Sequence, residues 1–179
     1  GKFPAILSDS VIGVEATKLY NDAKKLLQQI IDEKWLTAKG VAGFWPANKV
    51  DHDTIDVDNE SEVTKLQFLR QQIKKTAGQP NLSLADFIAP AEQNYQDHIG
   101  AFSVTIQGIE THIKNFEANH DDYNKIILQA LADRLAEAFA ELMHKKVRTE
   151  IWAYAKNETL SNEDLIKEDF DNDVPQTIL

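Results

Sequence analysis

The sequence predicts an α+β fold, a small, twisted, largely antiparallel sheet accompanied by long helices. Three observations lead there. Residues 40–45, 54–58 and 99–106 read as strands, residues 120–141 carry a long helical stripe, and strands and helices come in runs without regular βαβ alternation. A chain of 179 residues is long enough for one domain with a real core.

The elements follow in order. GKFP is an extended lead-in, because Pro4 biases Phe3 away from helix. Ser8, Asp9 and Ser10 are alternative caps for a helix reaching about Lys34, with Val14, Leu19, Ala23, Leu26, Leu27, Ile30 and Ile31 inward and Gly13 weakening its first turn. GVAGFW is a short apolar strand that Pro46-Ala47-Asn48 ends. Thr54-Ile55-Asp56-Val57-Asp58 alternates polar with apolar, as a strand wet on one face does, and pairs with it. Val63, Leu66, Leu69 and Ile73 stand at helical intervals, which predicts a helix over 62–75 stopped by Gly78-Gln79-Pro80. A structured piece over 82–88 and a polar loop to about Asp97 precede the 99–106 strand, which passes through Gly108 into a helix over 109–118.

The run HDDYNKIILQALADRLAEAFAE then starts on an acidic cap, Asp121 or Asp122. Ile126, Ile127, Ala130, Leu131, Leu135, Ala138, Phe139, Leu142 and Met143 recur at three- and four-residue steps, the spacing of one buried face. A helix of about 27 residues is about 40 Å long. Ser161 or Asn162 caps a short last helix.

Bulk properties exclude several functions. A formal net charge of −10 argues against a nucleic-acid partner, which needs a Lys/Arg surface. No window approaches the about 20 apolar residues of a membrane span, and GKFPAILSDS lacks a signal-peptide layout, so the expected place is the cytoplasm. The absence of cysteine removes disulfides, thiol nucleophiles and thiolate metal sites. His112, His120, Asp121, Asp122 and His144 do not form an HExxH pair, Asp51, Asp53, Asp56 and Asp58 lack the Gly and Glu of an EF-hand loop, and no metal site is expected. No GxSxG elbow or phosphate-binding glycine loop is present. Phe44, Trp45, Trp152 and Tyr154 read as packing rings rather than a ligand wall. Asp133 and Glu137 are four apart on one helix face, where their like charges cost a little unless a cation or hydrogen-bond donor sits opposite; a solvated face is the default reading and an interface the sharper alternative.

Together with GVAGFWPAN (40–48), LRQQ (69–72), LADFIAP (84–90), HIGAFSVT (98–105) and LSNEDLI (160–166), the long run resembles the C-terminal activation domain of cobalamin-dependent methionine synthase, in block order and spacing. The resemblance covers about residues 1–169 and leaves 170–179 as a divergent tail. It implies an activation-domain-like α+β fold, and a methyltransferase component that binds S-adenosylmethionine for the reductive remethylation of oxidised cobalamin. The cobalamin sits on another domain, and flavodoxin or a related flavoprotein supplies the electron. No catalytic residue is assigned within the chain. The resemblance implies that Glu137 and Glu168 belong to the ligand cleft, and that Glu110 and Asp133 face the cobalamin-binding domain of the same enzyme. Asp171-Asn172-Asp173-Val174-Pro175-Gln176-Thr177-Ile178-Leu179 stands where the family continues Gly-Ile-Arg-Pro-Ala-Pro-Gly-Tyr-Pro, the stretch that grips S-adenosylmethionine. The expectation is therefore a domain incomplete at its C-terminal end, with impaired ligand binding and no activity alone. The alternative function is a non-catalytic module that binds a cobalamin domain or a flavodoxin-like partner.

Overall fold

A computed structural model describes residues 3–158. Its elements are α1 (Gly13–Asp32), β1 (Thr37–Lys49), β2 (Thr54–Asp58), β3 (Val63–Gln67), β4 (Asp97–Gln107), α2 (Ile109–Ala118) and α3 (Asp122–Lys146), with short 3-10 turns at Ala5–Ser8, Leu84–Phe87 and Ala91–Gln93. The strands form one sheet in the order β3-β2-β1-β4, and β2 runs antiparallel to both β1 and β3. The α+β class expected from sequence is what the chain adopts. Among the described residues, no helix is long and apolar enough to cross a membrane.

The chain divides into two compact units whose boundary falls inside β1 and β4. The first holds residues 1–40 and 104–145. Its core is Leu26 and Ile30 from α1 with Ile127 and Leu128 from α3, joined by Ile109, Ile113 and Phe116 of α2. Asp9 holds the turn before α1, accepting from the N–H groups of Val11 (2.8 Å) and Ile12 (3.1 Å). Asp121 caps α3, accepting from Asn124 N–H at 3.0 Å, which satisfies a donor that the helix itself leaves unpaired. Gly108 is required before α2: its φ is +103°, and a Cβ there would stand 2.4 Å from the Trp35 carbonyl oxygen.

Two details of this unit correct the sequence reading. Val14, Leu19 and Ile31 are exposed, because α1 buries only the narrow stripe through Leu26 and Ile30. On α3, Ile126, Ala130, Ala138 and Leu142 face out, and Leu128 and Ala132 are buried instead. The helix begins at Asp122 and its buried face is rotated from the one expected.

The second unit holds residues 41–103 and the described residues from 146 onward. Its core is Ala47, Ile55, Val57, Ala85, Ile88 and Ile99, with Trp45, Leu66 and Phe68 packed against it. The helix expected over 62–75 does not form. Residues 63–67 are β3, paired from Thr54↔Gln67 to Asp58↔Val63, and Leu69 and Ile73 are exposed. Asn59 sets the hairpin, its Oδ1 accepting from the Ser61 and Glu62 N–H groups, and this tertiary pairing overrides the helical spacing. β1 also runs through Pro46 to Lys49 instead of ending there; proline lacks a donor yet keeps an extended φ.

Residues 68–88 follow β3 and are held by Arg70. Its guanidinium donates to Asp53 Oδ1 (2.9 Å), Asp86 Oδ2 (2.6 Å) and the Asn81 carbonyl (2.8 Å). Lys49 Nζ and Ser83 N–H also donate to the Asp86 carboxylate. Arg70 first, then Lys49 and Ser83, hold the Asp86 carboxyl far below the usual carboxylate range. A lowered folded-state pKa adds stability that is present above about pH 4 and is lost as pH falls below it. Thermal melts from about pH 5 to about pH 2 should therefore show a steep acid loss that Asp86→Asn flattens. Parallel curves for the two proteins would contradict that.

Candidate functional site

The acidic positions singled out by sequence lie on the first unit. Asp133 and Glu137 are one turn apart on α3, both exposed. Arg134 Nη2 donates to Glu137 Oε1 at 2.7 Å, so the cation that this pair calls for comes from the same helix. The bridge is weak, because its side chains are 70% and 61% exposed. Glu110 is exposed in the first turn of α2, where the helix dipole favours its charge. Among the described residues, neither Glu110 nor Asp133 has a hydrogen-bond or ion-pair partner, and no bond joins Glu110 to the α3 acids. Glu168 and the cap expected at Ser161 or Asn162 lie outside the described residues.

The second unit contains a constellation that the sequence reading missed. A five-residue π-helical turn, Val147–Ile151, follows Lys146. Arg148 on that turn is almost wholly buried and makes a two-pronged ion pair with Glu158, Nε to Oε2 and Nη2 to Oε1 both at 2.7 Å. Ala153 between them takes φ +61°, a left-handed conformation unusual for a residue with a Cβ. Trp152 packs edge-on against Phe44 (4.8 Å between ring centres) and Tyr154 (5.6 Å), and Gly100 leaves the room, since a Cβ there would meet Trp152 at 2.8 Å. These rings pack on one another, as expected from sequence. Burial, with a smaller contribution from Glu158 and against Arg148, pushes the Tyr154 phenol up to about 12. Ultraviolet titration should show one late phenol near that value, absent in Tyr154→Phe; identical curves would contradict the burial. The readable hint was an arginine one position after a core valine, too common a pattern to single out.

Two of the histidines and acids weighed as metal ligands have structural roles here. His112 stacks on Trp35 at 3.9 Å, and Asp121 is the α3 cap. Among the described residues, no three His, Asp or Glu side chains converge on a point where a metal would sit.

Among the described residues, a four-stranded sheet with three α-helices, one of them bearing exposed carboxylates, defines an α+β domain. Within it the family is definite: the family described as vitamin B12 dependent methionine synthase, activation domain, matches residues 1–176, and the chain belongs to it. A solved relative is the MetH reactivation domain bound to AdoHcy, 49% identical, superposing with a TM-score of 0.82 over 96% of this chain and 54% of that one. The chain thus spans about half the length of that relative.

Proposed function

We propose that the chain serves in the reactivation of cobalamin-dependent methionine synthase by binding S-adenosylmethionine and offering its methyl group to oxidised cobalamin held by another domain. The observation that carries this reading is the 49% identity, across nearly the whole chain, to a reactivation domain that holds AdoHcy. S-adenosylmethionine supplies an electrophilic methyl on a sulfonium cation, and the protein supplies placement and electrostatics. Glu137 suits a cation of that kind. Its present partner Arg134 is an exposed, weakly held guanidinium, so exchanging one cation for another there costs little. Glu168 completes the ligand cleft in this reading.

Glu110 and Asp133 form the face toward the cobalamin-binding domain of the same enzyme, an assignment supported by their exposure and by their having no partner among the described residues. Flavodoxin or a related flavoprotein is the electron source, and the cytoplasm is the expected compartment. The chain acts as one part of a methyltransferase, with the corrin and its reduction supplied elsewhere.

Calorimetry with the charged ligand and its neutral product tests the assignment of Glu137. Glu137→Gln should weaken S-adenosylmethionine by about threefold relative to AdoHcy, because only the former carries a sulfonium to lose a carboxylate. An unchanged ratio would remove Glu137 from the site.

A further inference from the structure

The first unit contains a cleft of about 380 Å³ lined by residues of α1, α2 and α3 and by Trp35, with Trp35, Phe116 and Tyr123 as its rings and Asp22 as its acid. Its size falls in the range of small-molecule pockets. Trp35 is held from several sides. Its indole Nε1–H donates to Glu33 Oε2 at 2.7 Å, and the His112 ring lies parallel to it at 3.9 Å. Its backbone N–H donates to the Ile30 carbonyl at 3.1 Å, and its carbonyl oxygen occupies the space that a Cβ on Gly108 would need. Lys34 just before it is bent to φ +54°. A large ring fixed this firmly at a cleft wall needs little ordering on contact with a ligand.

The polar groups lining the cleft are Asp22, Lys25, Gln29, Tyr123 and Asn124. Tyr123 O–H donates to Asp22 Oδ2 at 3.0 Å, which orients the carboxylate and leaves the phenol oxygen with acceptor capacity. Gln29 spends an amide donor on Glu33 (3.0 Å), and Asn124 spends one on Asp121 (2.7 Å). The wall's cation, Lys25, stands 3.9 Å from Asp22 Oδ1 with its side chain 81% exposed, beyond hydrogen-bond range.

We infer that this cleft binds a flat aromatic ring bearing an ammonium group, with the ring against Trp35 and Phe116 and the ammonium on Asp22. Aromatic and apolar contact comes from the two rings, and the Asp22 carboxylate, oriented by Tyr123 and standing 3.9 Å from the Lys25 ammonium, favours a cation over an anion. Lys25 competes with the ligand for Asp22.

The test titrates the full chain with tryptamine and, as the same ring with the opposite charge, indole-3-acetate. The signal is the Trp35 indole N–H in a proton–nitrogen spectrum, assigned through Trp35→Phe. Tryptamine should shift that signal with about millimolar affinity and indole-3-acetate should not. Asp22→Asn, which keeps an acceptor for Tyr123, should weaken tryptamine about tenfold, and Lys25→Ala, an exposed change that leaves the fold intact, should tighten it. Equal response to both ligands, no response to either, an unaltered affinity in Asp22→Asn, or weaker binding in Lys25→Ala would each overturn the inference.

Discussion

Glu158→Gln is expected to lower the unfolding free energy by about 3 kcal/mol, the usual cost of breaking a buried ion pair by removing one of its charges. The Arg148 side chain is 3% exposed and that of Glu158 is 5% exposed, and two short hydrogen bonds join them. Glutamine keeps the shape and one acceptor but removes the charge that balances the guanidinium. Replacing both residues with methionine should cost less than the single change, because no buried charge then remains. Urea melts at neutral pH measure both. A loss below about 1 kcal/mol in Glu158→Gln would mean that water reaches the pair.

Leu128→Ala is expected to cost about 3 kcal/mol, through lost transfer energy and the cavity left behind. Leu128 is wholly buried against Leu26, Ile30 and Ile127. Ile126→Ala two residues earlier should cost well under 1 kcal/mol, since Ile126 is 62% exposed. The pair of melts reads the rotation of α3 directly, and equal losses would contradict its placement.

That rotation shows where the sequence stopped being legible. A three- and four-residue rhythm establishes that α3 is a helix, and the Asp121-Asp122 pair establishes where it starts. The run Ile126-Ile127-Leu128, however, offers three adjacent apolar residues, and periodicity alone does not choose which two go inward. The strand at Thr54–Asp58 was legible because one face is wet, so alternation marks it. Residues 62–75 misled because Val63, Leu66, Leu69 and Ile73 fit a helix, whereas the chain there is governed by pairing with β2 and by Arg70 reaching Asp53 and Asp86. Such contacts lie 16 and 17 residues away and leave no local trace. The candidate site divides in the same way. Asp133 and Glu137 were visible as a like-charged pair on one face, while the Arg148–Glu158 clamp depends on a π-helical turn that no spacing rule announces.

The proposed function has this chain dock on a cobalamin-bearing partner through Glu110 and Asp133, which are exposed and have no partner among the described residues. Its most direct test is calorimetry of the chain against the separately produced cobalamin-binding domain of a methionine synthase of this family. The account predicts saturable binding that Asp133→Lys and Glu110→Lys each weaken by about tenfold while both variants melt like the parent. Absence of binding, or binding indifferent to both charge reversals, would contradict it.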